Sequence, residues 1–191
     1  KHQCHAMTRT RKSMVFTGKT DSKVLKILGG NYAGKFKIDV SGVKGAEHTE
    51  LVQYFSSDWD FLMSRCLANG WLVVPKVANL KVMASPKTIS GVPKGNVMDF
   101  NVNELYAMEL AVDGSTQYES ATAQAWNVKT QAIAAAVKET GTKHNPGKFE
   151  PGALQSLSKT ISQQLFNGTP MPPAELKAWA AGSISRSRLA F

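Results

Sequence analysis

Few residues in this chain are of a type and spacing that could do chemistry together. His2, Cys4 and His5 are metal-ligand types near the amino-terminal end. His2 and Cys4 would alternate on one strand face, but no second ligand pair follows at a finger-like distance, so a closed zinc shell is not expected. Asp58 and Asp60 could form an acid–base pair. Both also suit the first turn of a helix, where the dipole favours carboxylates, and that role accounts for them. Gly29, Gly34 and Lys35 superficially match a phosphate loop. Phe36 stands where that loop needs Ser or Thr, and no apolar strand precedes it, so a nucleotide site is rejected. His144 beside Asn145-Pro146 reads as a solvated loop histidine. Neither G-x-S-x-G nor H-E-x-x-H occurs. The residues alone therefore lead to an expectation of no catalytic residue, no cofactor-binding residue, no metal ligand and no cofactor.

The elements around these residues are clearest from Tyr54 to Val74. Ser57 is placed to cap a helix, with Asp60 three residues on as in a capping box. Trp59, Leu62, Met63, Cys66 and Leu67 then recur at helical spacing, which predicts an amphipathic helix with that stripe inward. Asn69-Gly70 stops it, and Trp71 to Val74 follows as a short apolar strand. Upstream, Ser13 to Thr17 predicts a strand. Thr20 or Asp21 caps a helix to Leu28, with Val24, Leu25 and Leu28 inward. Lys35 to Val43 alternates as a half-buried strand, and Gly42, Gly45 and Glu47 mark a loop.

Downstream, Leu80 to Ala84 predicts a hairpin partner for Trp71 to Val74, and Ser85 to Gly95 a loop. Alternating segments at Met98–Val102, Tyr106–Val112 and Tyr118–Trp126 predict antiparallel strands. Gln131 to Lys138 is Ala-rich and predicts a short helix, as does Ala153 to Leu165, whose Ser and Gln content weakens the pattern. Pro173 suits a first helical position, ahead of a helix from Ala174 to about Arg188 that buries Leu176, Trp179 and Ala180.

The chain has 191 residues, enough for a substantial core, and 42% hydrophobic content, as expected of a folded domain. No run of about 18 apolar residues is present, so no transmembrane helix is expected. The first residues hold neither Met nor an apolar signal core, and the chain is read as a piece of something longer. Cys4 and Cys66 make no disulfide framework, which fits a reducing compartment. The net charge of +9 invites an anionic partner. The cations are spread along the chain without interleaved aromatics, so nucleic acid is not the expected partner.

The stretch L-V-Q-Y-F-S-S-D-W-D-F-L-M-S-R-C-L-A-N-G (Leu51–Gly70) resembles the signature of the VgrG (Rhs-element Vgr) spike family of type VI secretion. Ser115–Trp126, Glu175–Ala190 and Asp21–Leu28 resemble further segments of that family, in its order; Cys66-Leu67 departs from its usual Ala-Glu, and the resemblance implies a strand at the end of the Ala153–Leu165 stretch. The resemblance implies an α+β fold, with antiparallel strands of a phage-tail-hub-like barrel and a mixed α/β insert. It implies residues 1–18 as the end of a first hub barrel, and 19–95 as the insert, with a central helix at 58–69. Residues 96–191 would be an antiparallel sheet followed by a helical segment leading to a second barrel. It implies a structural, non-enzymatic hub, homotrimeric in the full-length protein, with tail-tube (Hcp-like) and baseplate partners and possible secreted effectors. Assembly in the bacterial cytoplasm, followed by secretion, would follow. The alternative is a basic-surface module for nucleic acid or another anionic partner.

Overall fold

The computed structural model describes residues 2–83, 106–107, 109, 118–134, 136–140 and 162–187. A 3-10 segment, Gln3–Thr8, leads into strand β1 (Arg11–Thr20) and helix α1 (Asp21–Gly30). Strands β2 (Lys37–Asp39) and β3 (Glu47–Ser57) precede helix α2 (Asp58–Ala68), and β4 (Leu72–Lys76) and β5 (Asn79–Met83) follow it. Then come β6 (Ser120–Asn127), β7 (Ala132–Ile133), β8 (Val137–Glu139), β9 (Ser162–Asn167) and helix α3 (Pro173–Ser187).

Among the described residues two apolar cores result. In the first, Val24, Leu25 and Leu28 of α1 meet Phe61, Leu62 and Cys66 of α2, with Phe16, Phe36, Leu80 and Val82 from the strands. Phe16 and Phe61 stack with ring centroids 5.8 Å apart. The second core is small-residue rich. Ala121, Ala123 and Ala125 of β6 face Leu176, Ala180 and Ile184 of α3, so helix and sheet approach closely. The cores join where α2 ends against α3. Gly70, at φ +66°, and Gly182 bring their backbones into contact, and a Cβ on Gly182 would lie 2.6 Å from the Gly70 Cα. No side chain larger than hydrogen fits at either position.

α+β is the fold class, but the sheets depart from the expected pattern. β1 pairs antiparallel with β3, and β4 antiparallel with β5. β2 joins β5 in parallel, and β9 joins β6 in parallel. No sheet among the described residues closes into a barrel, so the hub-like barrel is corrected to open two-, three- and four-stranded sheets. β1 itself continues through residue 18 to Thr20.

Local expectations fare unevenly. Ser57 caps α2 as its spacing implies: its hydroxyl accepts from the Asp60 N–H at 3.1 Å and donates to Asp60 Oδ2 at 2.6 Å. The inward stripe of α2 is rotated from the predicted one. Phe61 is buried, while Leu67 is 47% exposed, because the flanking β1–β3 ribbon supplies Phe16 as a partner on the Phe61 side. Glu47 opens a strand instead of a loop. The predicted helix Gln131–Lys138 is corrected to the strands β7 and β8. Both strands bind edge positions on β6, and that pairing overrides the helical preference of Ala. Ser162 to Leu165, the end of a helix by its spacing but a strand by the family resemblance, lies in β9. The strands predicted at Met98–Val102 and most of Tyr106–Val112 lie outside the described residues, as do His144 and the rest of the predicted helix from Ala153.

Candidate functional site

Four elements converge on one buried group of charges. Asp21 stands at the first position of α1 and is fully buried. Its Oδ1 accepts from Arg65 Nε at 2.7 Å and from His48 Nε2 at 3.0 Å, and its Oδ2 accepts from Asn69 Nδ2 at 3.0 Å. Arg65 lies on α2, one turn before Asn69, and its Nη2 donates to Glu175 Oε1 at 2.5 Å. Glu175 sits in the first turn of α3, where the dipole favours its charge. His48 comes from β3 and is 4% exposed; its Nδ1 lies 3.6 Å from Glu175 Oε2. Its Nε2 also lies 3.2 Å from Arg65 Nη2. One imidazole nitrogen cannot donate to Asp21 and accept from Arg65 together. The shorter approach to a charged carboxylate decides for donation to Asp21.

Two carboxylates and one guanidinium are thus tied together with little solvent. Burial opposes the Arg65 charge, but the hydrogen bond and charge of Asp21, with the charge and hydrogen bond of Glu175, outweigh it and hold its pKa above the ordinary value. Cys66, on the neighbouring face of α2, is pushed up to about 12 by burial and by the charge of Asp21, partly offset by Arg65. It is a packing residue and a poor nucleophile at neutral pH.

This network forms the floor of a cleft of about 1070 Å³. His48, Arg65 and Glu175 reach it from below. Trp179 stands one helical turn after Glu175 on the same face of α3 and lines the cleft with it. Phe166 of β9, Lys129 after β6, Leu51 and Val52 of β3, and the Pro170–Pro172 segment complete the walls. Phe166 is 57% exposed there. The arrangement offers aromatic faces beside a carboxylate, a guanidinium and an ammonium, which suits a polar ligand with apolar faces.

The residues singled out in the sequence lie elsewhere. Asp60 belongs to the α2 cap. Asp58, 1% exposed, accepts from Tyr32 Oη at 2.9 Å, Gln53 Nε2 at 3.0 Å and Lys12 Nζ at 2.9 Å, and so clasps β1, β3 and the turn after α1 to the start of α2. Burial, then the hydrogen bond and charge of Asp58, push the Tyr32 phenol up to about 12. His2 Nδ1 accepts from the Cys4 N–H, while Cys4 packs against the first core. Among the described residues no three His, Cys, Asp or Glu side chains are gathered as metal ligands. Sequence reasoning missed the Asp21–His48–Arg65–Glu175 group because its members are far apart in the chain. One signal was present: Leu62, Arg65, Cys66 and Asn69 share a helical face, so Arg65 had to border the core.

Comparison with known families explains why the earlier resemblance misleads. The chain matches the Alg8 N-terminal domain over residues 1–191. No curated protein matches it. The match overturns the VgrG assignment, together with its phage-tail, baseplate and type VI secretion context. The quoted signature spans the β3–α2 junction. Its Ser57–Asp60 cap, Gln53–Asp58 bond and Phe61 anchor are needs of a local strand-to-helix turn, which an unrelated family can meet with the same residues. The non-enzymatic hub function and its basic-module alternative give way likewise, because the Alg8 family belongs to the glycosyltransferases, which are enzymes. The homotrimer with tail-tube and baseplate partners falls with them, since that family suggests a membrane-associated enzyme. No helix among the described residues is long and apolar enough to cross a membrane. The match runs through both cores and the cleft between them, and by it the chain belongs to the Alg8 N-terminal domain family.

Proposed function

We propose that the chain serves as the N-terminal domain of a glycosyltransferase and that the cleft between its two cores holds a saccharide. Family membership supports the first part. The observation that carries the second is that Trp179 lines the cleft together with the Arg65–Glu175 ion pair. A sugar ring has an apolar C–H face and a rim of hydroxyls. The half-buried indole of Trp179 and the exposed ring of Phe166 supply flat apolar surface for that face. Glu175 Oε2 accepts from hydroxyls, and Lys129, which also lines the cleft, donates to them. The Asp21–Arg65 bond below fixes the carboxylate of Glu175 without occupying both of its oxygens. The site is therefore held in place before a ligand arrives, which lowers the ordering cost of binding. Calorimetric titration of the chain with a panel of oligosaccharides tests this reading. Binding that is lost in Trp179→Ala supports it; binding indifferent to Trp179→Ala refutes it.

We also propose a division of the chain near residue 95 and a cytoplasmic setting. The division expected near residue 95 is supported by the composition of the cores, the first drawing on residues up to Val82 and the second on residues from Ala121. A cooperative unfolding transition from residues 1–95 alone would bear this out, and an unstructured fragment would not. A cytoplasmic setting is supported by the free thiols of Cys4 and Cys66. Labelling of Cys4 in intact cells by an impermeant thiol reagent would contradict it.

A further inference from the structure

A second depression shares no residue with the cleft. It encloses about 400 Å³ and is lined by His2, Gln3, His5, Ala6, Arg9 and Lys35. Among the described residues no carboxylate lines it. The cations come from two backbone segments that are each tied down. The 3-10 segment is anchored by Met7, fully buried, and by His2, whose ring is fixed at both nitrogens. His2 Nδ1 accepts from Cys4 N–H at 3.1 Å, which places the proton on Nε2, and Nε2 donates to the Lys76 carbonyl at 2.7 Å. Lys35 ends the turn after α1, where its N–H donates to the Tyr32 carbonyl at 2.8 Å. The side chains of His5, Arg9 and Lys35 make no hydrogen bond or ion pair with another described residue. Like charges gathered at one concavity without a counter-charge raise the local potential and attract an anion.

We propose that this pocket is a phosphate-binding site, taking a phosphate or diphosphate group between Arg9 and Lys35, with His5 and the Gln3 amide as further donors. A guanidinium meets a phosphate through two parallel N–H donors, and an ammonium adds a point charge from the other side. The volume suits a small oxyanion and its first attached atoms. The group could belong to a soluble phosphate compound or to a lipid headgroup, and the chemistry of capture is the same.

The test uses the full chain with inorganic phosphate and pyrophosphate in calorimetry at low salt, and with mixed phosphatidylcholine–phosphatidylglycerol vesicles in co-sedimentation. The Arg9→Gln/Lys35→Gln double variant alters only exposed side chains and should fold normally. It is expected to weaken binding by about tenfold or more, as two charge-assisted contacts are lost. The Lys23→Gln/Lys26→Gln variant removes the same charge from the exposed face of α1 and is expected to bind as the parent does. Pyrophosphate binding with this pattern assigns a soluble ligand. Vesicle binding with this pattern, without binding of free phosphate, assigns a headgroup. Equal weakening by both double variants would reveal diffuse attraction and overturn the site, as would the absence of binding to either probe.

Discussion

Arg65→Met removes the guanidinium that joins Asp21 to Glu175 while keeping much of the side-chain volume. Asp21, fully buried, would lose its 2.7 Å contact and keep only His48 and Asn69 as donors. Glu175, 6% exposed, would lose its 2.5 Å partner and face Asp21 across His48. Removing one member of a buried pair leaves the other charge uncompensated and costs about 3–5 kcal/mol. For a chain of this size that corresponds to a fall of roughly 10 °C in the midpoint of thermal unfolding. Urea denaturation followed by tryptophan fluorescence gives the free energy directly. The partner variant Asp21→Asn separates desolvation from attraction. If the network is coupled, Asp21→Asn/Arg65→Met should cost less than the sum of the singles, with an interaction energy of about 0.5–3 kcal/mol. A loss under about 1 kcal/mol in Arg65→Met, or strict additivity, would refute the view that these charges bind the two cores together.

Two other outcomes follow from the packing. Gly182→Ala drives a methyl group into the Gly70 backbone and should cost at least about 1–3 kcal/mol, measured by the same denaturation; an unchanged midpoint would mean that α2 and α3 do not meet there in solution. Cys66 and Tyr32 both have folded-state pKa values raised to about 12, from ordinary values of 9.0 and 10.0. Each group favours the folded state while protonated, so this contribution is complete below about pH 9 and is lost as the pH rises towards 12. Stability should therefore decline across that alkaline window, and Cys66 should resist thiol reagents in the native chain near neutral pH. Stability that is flat across the window, or rapid labelling of Cys66, would contradict the buried placement.

The parts of the fold that were legible in the sequence are those decided locally. The α2 cap depends on Ser57 and Asp60, three residues apart, and the inner face of α1 on Val24, Leu25 and Leu28. The hairpin of β4 and β5 depends on alternation within a dozen residues. What was hidden is decided at long range. The parallel pairing of β9 with β6 sets residues about forty apart side by side, and nothing in the Ser-Gln-rich segment marks it. The Ala-rich stretch after β6 has helical preference, but an open edge on β6 offered it strand partners. The charged network was hidden for the same reason. Asp21 reads as a candidate cap but stands in the first turn of α1, as Glu175 does in α3, and either place is accounted for within the residue's own helix. Only the crossing of α2 and α3 turns them into one group. The spike-like signature illustrates the converse risk, because a motif satisfied within one strand-to-helix turn carries information about that turn and little about the whole chain.

The central claim is that the cleft beside Trp179 binds a saccharide. The chain has four Trp residues, so a spectrum of the indole N–H groups has few signals, and Trp179→Phe identifies the relevant one. Titration with an oligosaccharide should shift the Trp179 signal in a saturable way and leave that of Trp59, which packs against the first core, in place. Saturable binding that leaves the Trp179 signal unmoved, or no binding of any oligosaccharide tested, would contradict the assignment of the cleft.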